Sequence, residues 1–254
     1  CTPQRVDERL EELYNLGIRG VFPIHKFDNQ FGGVHVDSAF VNFGNRISSR
    51  EFFNTEACEP GVRSNDKLDG PPSIPITDTI SVPPELLRLF LAALFQTPIE
   101  ADELDYDADA NLCNKRGITP LGVYLVNRLI DKGMLIEVDH ASFDAAVEIL
   151  NIAEAREYSG VLTTHNWTHA STTSAEDLGQ MTERILKLGG FASMLTGSKM
   201  QDRMLNAHNY VTQNTNFLAG IGIGSDFSGL HPQPAPGNEE FYGEIEYPYV
   251  SEFG

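Results

Sequence analysis

The chain is short of the residues that hold small secreted scaffolds together and of those that grip nucleic acid. It has three cysteines in 254 residues, too few for disulfides to define the fold. Lys and Arg number 18 against 36 Asp and Glu, a formal net charge of −18. Such a surface repels phosphate backbones and argues against DNA or RNA as a partner. No apolar run approaches the roughly 18 residues needed to cross a bilayer, so no transmembrane segment is read. No signal-peptide pattern is read either. Cys1 rather than Met opens the sequence, which fits a mature, trimmed or partial product.

What is present suits a folded α/β chain. Apolar residues make up 41% of the total, an ordinary share for a globular domain. The length suits one large domain or two small ones, with enough chain to bury a sizeable core. Cys58 and Cys113 flank a loop-rich stretch. They either pair in an oxidising compartment or remain thiols.

The most informative stretch runs from Gly117 to His165. Thr119 is placed to cap a helix, with Pro120 at its first position and Gly133 at its end. Met134 to His140 is apolar and of strand length, and so is Gly160 to His165. Ser142 caps a second helix, running to about Glu157, between them. This is a strand–helix–strand unit of a parallel sheet. Each of its strands ends on a histidine. In a (β/α)8 barrel, side chains at strand C-termini line the active-site mouth, and two imidazoles on adjacent strand ends can share a metal ion.

Other elements show the same alternation. Residues 4–16 read as a helix, 18–25 as a strand ending on His25, 176–188 as a helix and 191–196 as a strand. Residues 202–218 have a weaker helical pattern, and Gly220 to Asp226 is a buried strand ending on an acid. Five strands are named in this way, and a closed barrel needs eight. The expected fold is therefore a (β/α)8 TIM barrel, partial over residues 1–254 as a single domain. A loop-rich insertion or lid at about 30–118 carries one clear helix, Pro84 to Gln96.

Candidate chemistry gathers at the strand ends. His140 and His165 are the candidate metal ligands, against the plainer reading of buried, hydrogen-bonded histidines. Asp226 could hold metal or take a proton from activated water, or simply cap the next element. His25 could ligate metal or donate to a substrate carbonyl. Asn29 is either a substrate-orienting amide or a turn residue. His35-Val36-Asp37 has the His-x-Asp form seen where barrel metallohydrolases begin, but it sits in a Gly-flanked loop. His169 reads as structural, His208 and His231 as surface residues, and Trp167 as packing. Gly220-Ile-Gly-Ile-Gly lies within a strand with no helix after it, so it lacks the context of a nucleotide-binding loop.

Four motifs resemble the membrane (renal) dipeptidase family of zinc metallopeptidases, in the amidohydrolase superfamily. They are Gly117-Ile-Thr-Pro-Leu-Gly122, Asn127-Arg-Leu-Ile-Asp-Lys-Gly-Met-Leu-Ile-Glu-Val-Asp-His140-Ala-Ser142, Thr164-His165 and Gly222-Ile-Gly-Ser-Asp226-Phe-Ser-Gly229. The family shows Leu-Thr-Pro-Phe-Gly, Gly-Met-Leu-Ile-Asp-Leu-Ser-His, Ser-His-Ser and Gly-Ser-Asp-Phe-Asp-Gly in the same order. The resemblance implies hydrolysis of a dipeptide or similar amide by metal-activated water. It implies that His140 and His165 bind the second of two zinc ions, that His25 with Asn29 binds substrate, and that Asp226 handles the proton. The family's first-site ligands, a His-x-Asp pair and a bridging Glu, have no match before His25. Thr168 to Asp177 has no Arg or Lys to match the family's carboxylate-binding residue. The chain thus reads as the middle of a larger protein. The expected partner is a small peptide substrate, with a homodimer left open. The expected location is extracellular or periplasmic, otherwise cytoplasmic. A different amide or lactone hydrolase and a non-catalytic binding barrel are the competing readings.

Overall fold

The computed structural model of the chain describes residues 1–36, 39–59, 62, 74–77, 80–82, 111–165, 178–196, 200–216 and 220–226. Helix α1 (Pro3–Asn15) starts where Thr2 accepts a hydrogen bond from the Arg5 N–H, and its Val6 and Leu10 are buried. Gly17, at φ +92°, turns the chain into strand β1 (Gly20–Val21). Next come α2 (Ala39–Ser49), β2 (Thr55–Ala57), β3 (Ile74–Thr77), β4 (Ile80–Val82) and β5 (Leu112–Asn114). From there helix and strand alternate: α3 (Pro120–Asp131), β6 (Leu135–Glu137), α4 (Phe143–Ala155), β7 (Val161–Thr163), α5 (Gln180–Lys187), β8 (Phe191–Leu195), α6 (Met200–Asn214) and β9 (Gly220–Gly224). The helix Pro84 to Gln96, and with it Asp37, Trp167, His169 and His231, lies outside the described residues.

All five strands read from the sequence join one parallel sheet, in the order β1-β6-β7-β8-β9. The order never reverses. Right-handed crossovers between successive neighbours therefore put their helices on one face, as in a barrel wall and unlike a doubly wound sheet. The helices pack in the matching succession α1–α3–α4–α5–α6. This is a mixed α/β fold compatible with part of an α/β barrel.

The side chains agree with a one-sided helix layer. Ile136 and Val161 are fully buried in the core shared with α3 and α4, and Ala192 packs with Ala207 and Val211 of α6. Their neighbours on the opposite face, Leu135 and Phe191, are 44% and 40% exposed. That second face is the one a barrel turns inward. The caps foreseen at Thr119 and Ser142 form, accepting from the N–H groups of Gly122 at 3.1 Å and Ala145 at 3.3 Å.

The insertion is more ordered than its composition suggests. It contributes α2 and two small antiparallel pairs, β2 with β5 and β3 with β4. Helix α2 escaped the sequence reading because its inward face includes amides. Asn42 and Asn45 are buried, and they accept from the backbone N–H groups of Phe53 at 2.7 Å and Asp28 at 2.8 Å. A pattern search that counts apolar residues does not register such a helix.

Cys58 and Cys113 form a disulfide across the β2–β5 pair. It closes a long loop, and such links chiefly restrict the unfolded chain. Replacing both cysteines by serine should lower stability by about 2–4 kcal/mol, read as an earlier denaturant midpoint. An unchanged midpoint would show that the β2–β5 pair holds without its crosslink.

Candidate metal centre

Three histidine rings meet where the first three strands of the sheet end. His140 comes after β6 in a tight turn, and its carbonyl accepts from the His35 N–H at 2.8 Å. His165 lies two residues beyond β7. Because β6 and β7 are hydrogen-bonded neighbours, the two imidazoles converge. Their Nε2 atoms are 3.0 Å apart, and the residues are 2% and 5% exposed. The ring of His25 lies 4.4 Å from that of His140, and Phe22 packs 5.2 Å from His25 and 5.7 Å from His140. His25 itself stands past a strand shorter than the sequence suggested, since β1 covers only Gly20–Val21, and it meets solvent.

Asp139 is fully buried and organises the end of β7. Its carboxylate accepts from the Thr163 hydroxyl, from the Thr164 N–H at 2.6 Å and from the His165 N–H at 3.0 Å. The same Oδ2 stands 3.2 Å from His165 Nδ1. Neither Asp139 nor Glu137 was singled out in the sequence, although the signal was there. Two acids at alternating positions of an otherwise apolar strand share a face.

The geometry can be tested against a zinc ion. Two ligand nitrogens at about 2.0–2.1 Å in a tetrahedral arrangement stand about 3.3 Å apart. The observed 3.0 Å needs only a few tenths of an ångström of opening. That spacing is compatible with two ligands of one cation, and it is equally the length of a hydrogen bond between the two rings. Among the described residues, no group of three His, Cys, Asp or Glu side chains is arranged to hold a metal.

The other predicted residues fall in different places. Asp226, beyond β9, is exposed and adopts φ +49°. Desolvation, then the Lys26 and His165 charges, lower the pKa of His25 against a smaller opposing pull from Asp226. Asn29 is engaged with its own loop. Its Oδ1 accepts from Phe31 N at 2.7 Å and Gly32 N at 3.2 Å, and its Nδ2 donates to the Pro23 carbonyl at 2.9 Å. That is an Asx turn, and only one amide hydrogen is left for other work. His35 is buried beside the His140 backbone, while His208 lies on α6.

Glu137 is 4% exposed. Its Oε1 accepts from the N–H groups of Val138 and Asp139, and its Oε2 has no hydrogen-bond partner among the described residues. Burial, and then the neighbouring Asp139 charge, push its pKa up to about 9. The folded protein thus holds a proton that the unfolded chain releases above about 4.5. Stability is fullest below that lower value and falls as pH rises towards 9, by at most about 1.4 kcal/mol per pH unit. Glu137→Gln should remove this slope in metal-free protein, as measured by unfolding midpoints across the window. An unchanged slope would place the proton elsewhere.

No family model matches the chain, and no curated protein does. The motif resemblance to membrane dipeptidase therefore has no family match behind it. Among solved structures, an amidohydrolase from Pseudomonas aeruginosa is similar over 46% of this chain and 37% of that one, at 19% identity and a TM-score of 0.33. The likeness spans little more than a third of that protein's length, and at this level it establishes neither a shared fold nor a shared activity.

Proposed function

We propose that the chain carries part of a metal-dependent hydrolase that cleaves a dipeptide or a similar amide. The observation behind this reading is the buried His140–His165 pair, with its Nε2 atoms 3.0 Å apart at neighbouring strand ends. In this reading His140 and His165 hold zinc through those two nitrogens. A bound zinc ion supplies Lewis acidity and brings the pKa of water near neutrality. His25, at the solvent edge of the cluster, donates a hydrogen bond to the substrate carbonyl as charge develops there. Its lowered pKa keeps the ring neutral near pH 7, with one N–H to give. Asp226 takes up the proton lost by water. Phe22 sets an apolar ring beside His25 and His140.

The second reading, a barrel that binds without catalysing, draws on one observation. No third ligand joins the pair among the described residues. The disulfide supports an oxidising location, extracellular or periplasmic. Among the described residues no helix is long and apolar enough to cross a membrane.

Zinc titration and a dipeptide hydrolysis assay together separate the two readings. The first expects bound metal and turnover. His140→Ala or His165→Ala should abolish both, with the rate falling by orders of magnitude. Protein that folds normally, takes up no metal and leaves dipeptides intact supports the binding barrel instead. His25→Ala should lower kcat while metal content holds, and loss of metal in that variant would make His25 a ligand.

A further inference from the structure

The resembled motif has Ser immediately before its metal-site histidine, whereas this chain has Asp139. We propose that Asp139 is a positioning residue that fixes the tautomer of His165, so that the Nε2 lone pair faces His140. The inference rests on the reading of the pair as metal ligands, but it concerns the protein's own atoms. Asp139 is fully buried and surrounded by donors. The Thr163 hydroxyl and the backbone N–H groups of Thr164 and His165 all point at its oxygens. A carboxylate that satisfies so many donors is an acceptor only. His165 Nδ1 lies 3.2 Å from it and 3.0 Å from the Thr164 hydroxyl. That hydroxyl lies 3.4 Å from the same carboxylate oxygen and can give its hydrogen there. In that arrangement the ring hydrogen sits on Nδ1, facing the carboxylate. A neutral ring has one N–H, so Nε2 is left as the bare nitrogen aimed at the partner ring 3.0 Å away. Carboxylates placed behind ligating histidines work in this way, and losing one typically costs about 10–100-fold in metal affinity.

The test begins with the unaltered, metal-free protein. With histidines labelled with nitrogen-15, the His165 ring, assigned by its loss in His165→Gln, should show a protonated Nδ1 and a bare Nε2. A protonated Nε2 with a bare Nδ1 overturns the proposal, and this measurement needs no Asp139 variant to fold. Asp139→Asn, with folding checked by its unfolding transition, should lose the tautomer preference and bind zinc about 10–100-fold more weakly. Equal affinity in a folded Asp139→Asn overturns the proposal as well. If the unaltered protein takes up no zinc, the metal reading fails, and the tautomer still decides the role of Asp139.

Discussion

The grip of one buried carboxylate on the next strand holds the site together. Asp139 leaves β6 and reaches the backbone N–H groups of Thr164 and His165, just past β7. Those two groups lie beyond the last rung of the ladder, so no strand neighbour supplies their acceptor. A buried N–H left unmet costs roughly 1–3 kcal/mol. Asp139 meets two and sets the path by which His165 turns towards His140. The carboxylate that completes the backbone at a strand end also stands against the imidazole. Structure and chemistry here draw on the same three residues.

Much of this was legible in the sequence, because parallel strands buried on one face by helices leave strong apolar runs. The five strands, the caps at Thr119 and Ser142, and the turn at Gly133 come from local chemistry alone. The adjacency of His140 and His165 came from one topological rule. A single helix between two strands makes them neighbours. Asn29 was harder, because an amide in a turn and an amide facing a ligand have the same letter. Only its three backbone partners show how far it is committed. Glu137 and Asp139 went unread because charge in a strand suggests an exposed face. Here that face carries the site.

The loop-rich insertion also braces the turn that carries His140. Asn114, beside the disulfide, donates from its Nδ2 to Asp28 at 2.8 Å and to the Val34 carbonyl at 2.9 Å. Asp28 in turn accepts from the Val34 N–H at 2.8 Å. Val34 bridges to Ala141, and the His35 N–H reaches the His140 carbonyl. The links from Asn114 and from His140 are buried and span 80 or more residues, and such pairings leave no periodic trace. Gly33 allows this close approach. A Cβ at that position would lie 1.9 Å from the Arg116 carbonyl oxygen.

Curvature decides whether Asp226 belongs with the histidines. β1 and β9 are opposite edges of the sheet. In a flat sheet, four steps of about 4.8 Å would separate their ends by about 19 Å. Over such a distance a surface charge is largely screened. Gly224 shows that the strand ends depart from that flat arrangement. It is paired with Leu195 of β8, yet a Cβ there would lie 1.7 Å from the Thr164 carbonyl oxygen beyond β7. Only a sheet bent sharply at its C-terminal end brings those atoms together, and only glycine admits the contact. The alternating glycines of β9 therefore act through the room they leave. At Gly220 and Gly222 the Phe191 ring takes that room, and at Gly224 the Thr164 carbonyl takes it, where the sheet bends.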